Sequence, residues 1–324
     1  MMKNTILRLK NNRKSTVRWM AVLSSAALLL PAGWSPAFAQ NSAQANTSAP
    51  AAAAAVSSES SIILNKFRAL LKQPNGLPDA AAYLNENISS AAPHHATLMV
   101  LYLENARVKA MPAIDEKLYP QDVQEELQTI FKENYTMNQL IQKAKTQKVK
   151  KLLTQAKNYG YKVITAEGMY FLTMDYSAFE RYKEDVKEDI SAYISIQSEL
   201  SRKQLGKDAA LAIGYQELVN RALLLEGFVN SYPNSNRTQQ VEGQFDLYKH
   251  VIFYGMNNTP LFQDNGVIRP NAKKAYTFIA GLPNDNNSQL HELLQQFVDV
   301  LENHQFKQTS EVNDWLDQHV GTNE

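Results

Sequence analysis

Cysteine is absent from all 324 residues. That excludes disulfide staples, a thiol nucleophile, a thiolate metal site and a lipid anchor attached through a modified cysteine. Stability must come from an apolar core instead. Glycine is scarce, with 12 in the chain, and none falls in a Gly-x-Gly-x-x-Gly or P-loop run, so no phosphate-cradling loop is encoded. No serine occupies a Gly-x-Ser-x-Gly elbow. The histidines His94, His95, His250, His291, His304 and His319 contain no i, i+4 pair with an intervening glutamate, the spacing a helical zinc site requires. Neighbouring His94 and His95 would project about 100° apart on a helix, and after Pro93 they suit a solvated helix start. Neither a metal nor a cofactor is expected. Long apolar runs are missing as well: residues 96–103 are the longest beyond the N-terminus, and they read as a buried helix rather than a membrane span.

What is present begins with an export signal. Residues 1–18 carry Lys3, Arg8, Lys10, Arg13, Lys14 and Arg18 and no acid, and an apolar stretch follows over residues 20–30. Ala37-Phe38-Ala39 offers small side chains for a signal peptidase, so cleavage is expected near Ala39/Gln40. Residues 40–57 are rich in Ala, Ser, Asn and Gln and read as a disordered leader. The domain expectation is therefore 1–39 signal peptide, 40–57 leader and 58–324 helical domain, with any internal boundary near 158–176. Six of the 33 basic residues lie in the signal and none of the 32 acidic ones do, which leaves 27 against 32, a net of −5. A chain with that balance lacks the basic footprint of a nucleic-acid binder.

Beyond residue 58 the apolar period is helical. Within 208–231, Leu211, Tyr215, Leu218, Ala222, Leu225 and Val229 recur at spacings of four and three, one helix face. Val123, Leu127, Ile130 and Phe131 repeat the pattern, as do Val241, Phe245, Tyr248 and Ile252, and Leu290, Leu294, Phe297 and Leu301. Pro112 and Pro120 interrupt, Pro270 opens a helix, and Ser177-x-x-Glu180 has capping-box spacing. Residues 161–174 depart from this period. Their β-branched and aromatic residues flank Glu167-Gly168 and predict one short β-hairpin. Gln73-Pro74-Asn75, Tyr232-Pro233-Asn234 and Leu282-Pro283-Asn284 each end a helix and start a turn. The fold class expected is mainly α, antiparallel helical hairpins packed on one another with that β-hairpin.

Glu167-Gly168-Met169-Tyr170-Phe171 with Asp175-Tyr176, and Tyr232-Pro233-Asn234-Ser235-Asn236-Arg237 with the run Tyr254-Gly255-Met256-Asn257-Asn258-Thr259-Pro260-Leu261-Phe262, carry a resemblance. Over roughly residues 160–320 the chain resembles uncharacterised exported proteins of Gram-positive bacteria. The resemblance implies export and a shared layout but no chemistry. The Tyr-Pro-x-Ser turn is also similar to turns in tetratricopeptide-like scaffolds.

Three features bear on function. Lys143, Lys145, Lys148, Lys150, Lys151 and Lys157 occur with no acid between Glu133 and Glu167. On one continuous helix Lys143, Lys150 and Lys157 form a stripe opposite Leu140, Ala144, Val149 and Leu152, suited to anionic lipid or an anionic wall polymer. The same pattern also serves as a plain wet face. Tyr159, Tyr161, Tyr170, Phe171, Tyr176, Phe179, Tyr182 and Tyr193 crowd into 35 residues. Tyr170 and Tyr176 are the candidates there for stacking on a ligand, against a core role for the cluster. Glu167 and Asp175 are the candidate acid pair of a hydrolase, although Glu167 suits a turn and Asp175 a helix start. The leading expectation is a non-catalytic extracytoplasmic binding or scaffolding protein of the cell envelope. Its partner would be wall polymer, a lipid surface or another envelope protein, with no nucleic acid and no transmembrane span in the mature chain. An envelope hydrolase and a helper for another exported protein are the alternatives.

Overall fold

The computed structural model describes residues 51–321. The expected signal, its cleavage site and the first part of the expected leader fall in residues 1–50, outside the described residues. Within them the chain is mainly helical, with a few short two-stranded antiparallel sheets. No described helix is long and apolar enough to cross a membrane.

Helices α1 (Ala51–Leu71), α2 (Leu77–Asn87) and α3 (Pro93–Asp115) pack against one another. Helix α1 starts inside the stretch read as leader; an alanine run is the strongest local helix former, so the Ala51–Ala55 segment prolongs the helix it precedes. Residues 96–103 are indeed core, with Ala96, Met99 and Leu103 fully buried. Pro112 does not interrupt as expected. It lies inside α3, which runs on to Asp115, whereas Pro120 directly precedes α4 (Gln121–Ile130).

Helices α5 (Met137–Lys143) and α6 (Gln147–Asn158) lead into β1 (Tyr161–Ala166) and β2 (Met169–Met174). These strands pair from Tyr161↔Met174 to Ala166↔Met169, leaving Glu167-Gly168 as the two-residue turn. Both turn residues have positive φ, 50° and 73°, as a hairpin with right-handed twist demands. The outer edge of β2 is closed by side chains: Gln124 donates to the Tyr170 carbonyl and accepts from its N–H, both at 2.8 Å, and the Leu172 N–H donates to Asp115 at 2.6 Å. An edge satisfied this way is no template for another strand.

A 3-10 turn (Tyr176–Tyr182) precedes α7 (Glu188–Arg202). Asp175, not Ser177, caps that turn, accepting from the Ser177 N–H. The helix expected over 208–231 begins at Tyr215. Asp208 and Ala209, with φ of 53° and 57°, instead form the turn between β3 (Gly206–Lys207) and β4 (Ala210–Leu211). Helices α8 (Tyr215–Ser231) and α9 (Thr238–Tyr254) pack against each other, joined through the Tyr232-Pro233-Asn234 turn. A third hairpin, β5 (Gly255–Met256) with β6 (Thr259–Pro260), precedes α10 (Pro270–Ala280), α11 (Gln289–Asn303) and α12 (Ser310–His319). Pro270 opens α10 as expected. Where the sequence pattern predicts one β-hairpin, the described residues contain three. The second and third are tied together, because Asn258 donates from its backbone to the Ala209 carbonyl and from its side chain to that of Asp208.

Candidate functional site

The lysine-rich segment is not one helix. A break at residues 144–146 separates α5 from α6, and its cause lies 19 and 20 residues upstream. The Glu126 carboxylate of α4 accepts from the Lys145 N–H at 2.6 Å and from the Thr146 N–H and hydroxyl at 3.0 and 2.6 Å. Burial alone would raise the Glu126 pKa, but these donors outweigh it and hold the group below the usual carboxylate value. Thr146 in turn caps α6, accepting from the Val149 N–H. The heptad stripe of Lys143, Lys150 and Lys157 is therefore split, with Lys143 ending α5 and the other two on α6.

The polarity of the segment holds nonetheless. Leu140, Val149 and Leu152 are buried, while Lys143, Lys145, Lys148, Lys150, Lys151 and Lys157 are all exposed. Lys148 pairs with Asp122 at 2.5 Å. Among the described residues no carboxylate lies within ion-pair distance of Lys143, Lys150, Lys151 or Lys157. Lys117 reaches the same helix, donating to Gln155 at 3.2 Å.

The tyrosine cluster is largely core. Tyr176 is buried and donates to Glu104 at 2.8 Å; Tyr193 donates to the same carboxylate oxygen at 2.5 Å. The other Glu104 oxygen accepts from Arg237 Nε and its terminal nitrogen at 3.0 and 2.7 Å. Burial first, then the adjacent Glu104, pushes both phenols well above their ordinary pKa. Tyr176 is thus tied to a buried ion pair and packs edge-on against Tyr193, and it also contributes to the lining of the cavity behind the hairpin. Tyr170 is half-buried, its ring 5.1 Å from that of Phe131. Sequence reasoning missed Glu104 and placed Arg237 only in a turn motif, because the two are 133 residues apart.

The candidate acid pair is not a pair. Glu167 stands at the tip of the β1–β2 hairpin, and Asp175 follows β2 at its base, beside Gly160. Strand rise puts them about 20 Å apart, beyond the spacing two carboxylates need to act on one glycosidic bond. Behind the hairpin is a cavity of about 110 Å³, where Lys162, Gln197 and Gln244 supply polar groups. Lys162 caps the end of α7 through the Ser201 carbonyl, and the two glutamine amides bond each other. Burial lowers the Lys162 pKa, but its ammonium is already engaged. Among the described residues no three His, Asp or Glu side chains gather to hold a metal ion.

No protein-family model, no curated protein and no solved structure matches the chain.

Proposed function

We propose that the protein is a non-catalytic extracytoplasmic binding or scaffolding protein of the cell envelope, and that it meets an anionic partner through the lysines of α5 and α6. One observation carries this reading: Lys143, Lys150, Lys151 and Lys157 are exposed and unmatched by carboxylates among the described residues, on helices whose apolar sides are spent on the core. Lysines at an anionic surface contribute about 1 kcal/mol each, and the attraction fades as salt shortens the Debye length. Wall polymer, anionic lipid and an acidic envelope protein all present this chemistry. Export rests on the basic, apolar and Ala-x-Ala sequence of the first 39 residues.

Co-sedimentation of the purified protein with cell-wall fragments and, separately, with vesicles of anionic lipid tests the reading. Binding at low salt that disappears at high salt is expected with at least one of them. Absence of binding to both at low salt removes wall polymer and lipid as partners.

A further inference from the structure

Beside the β3–β4 and β5–β6 hairpins, whose Gly206 and Met256 also line the hairpin cavity, the starts of α8 and α10 open onto one groove of about 880 Å³. Its apolar wall includes Ile213, Tyr215, Ala275 and Phe278, and Phe278 is 54% exposed although aromatic. Its charged lining residues are Arg269 and Lys274; Glu217, in the first turn of α8, is not on the lining and is paired with Arg221 at 2.6 Å. Arg269 is anchored by donating from Nε to the Pro260 carbonyl at 2.7 Å.

Both helices begin without a side-chain cap: Gly214 precedes α8, and Arg269 precedes α10. First-turn N–H groups left without a capping side chain make a helix start receptive to a carboxylate. A second, independent observation points the same way. Tyr215 is only 7% exposed and lines the groove, yet its hydroxyl has no hydrogen-bond partner among the described residues. Burial raises its pKa, and the nearby Arg269 cation opposes that rise.

We propose that this groove binds the carboxy-terminal end of a peptide whose last side chain is apolar. Arg269, Lys274 and the bare helix starts receive the carboxylate, and the wall of Ile213, Ala275 and Phe278 receives the side chain. Gln216, Asn271 and Thr259, also on the lining, supply amide and hydroxyl partners for peptide groups. A fatty acid would leave those three unused, so the polar lining favours peptide over lipid. The inference is independent of the lysines on α5 and α6.

Fluorescence anisotropy with N-terminally labelled tetrapeptides ending in Leu or Phe, each as free acid and as amide, tests it on the purified protein. The free acids are expected to bind at least about tenfold more tightly than the amides. Lys274→Gln should erode that preference by several-fold without changing the melting temperature, and Arg269→Gln should erode it further. Lys274 is exposed, so its variant keeps the test valid if Arg269→Gln unfolds. Equal binding of acid and amide, no binding of either, or unchanged preference in Lys274→Gln overturns the proposal. Displacement of the peptide by dodecanoate at lower concentration than by unlabelled peptide would make the occupant a lipid and overturn it too.

Discussion

Arg237 and Glu104 are among the most deeply placed charges, and each is intelligible only through the other. Their side chains are 10% and 4% exposed, and the carboxylate collects Tyr176, Tyr193 and both Arg237 contacts. Removing one partner would strand a buried charge. Arg237→Ala is expected to cost about 3–5 kcal/mol in urea melts, far more than truncation of an exposed lysine such as Lys109. The buried phenols make a second prediction. Tyr176, Tyr193 and Tyr276 have folded pKa values raised by burial, so they stay neutral where an unfolded chain would begin to ionise. Their neutral form favours the folded state below about pH 10, and that advantage falls as pH rises beyond it. Absorbance at 295 nm should therefore show a late, cooperative tyrosinate step coinciding with loss of the helical circular dichroism signal. A single non-cooperative titration near pH 10 with the helix signal intact would contradict this burial.

Single glycines decide how the elements join. Gly160, between α6 and β1, has φ of +82°, and a Cβ there would lie 2.4 Å from the Arg107 guanidinium carbon. Gly168, at the β1–β2 turn, has φ of +73° but nothing within 4 Å of an added Cβ. Alanine at Gly168 should cost about 1–2 kcal/mol, the conformational penalty alone. Gly160→Ala should cost more, since buried Arg107, packed 4.9 Å from the Phe179 ring, must also move. Equal thermal shifts for the two variants would mean that Arg107 yields freely. These elements also show what a sequence reveals. Leu290, Leu294, Phe297 and Leu301 could be assigned to one buried face because burial follows the helical period. The β1–β2 hairpin was legible from six-residue strands around Glu167-Gly168. β3–β4 and β5–β6 were not, because two-residue ladders are too short to show an alternation. The α5–α6 break was hidden for another reason: Glu126, which fixes Thr146 at the start of α6, is supplied from another helix.

At the scale of the whole molecule, helices that carry buried stripes on one side are left with an uneven charge on the other. The chain as a whole holds 33 basic and 32 acidic residues, so net charge cannot direct it to an anionic surface. A local concentration on α5 and α6 can, within a Debye length of about 8–10 Å. The lysines were legible in the sequence, whereas their division between two helices was not. The decisive comparison is therefore between two variants of equal net charge. One carries Lys143→Glu, Lys150→Glu and Lys157→Glu; the other carries Lys72→Glu, Lys187→Glu and Lys307→Glu, at exposed positions elsewhere. Low-salt co-sedimentation with wall fragments and anionic vesicles is predicted to be lost in the first and kept near wild type in the second. Equal sedimentation of both variants, whether retained or lost, would contradict the claim that α5 and α6 form the binding face.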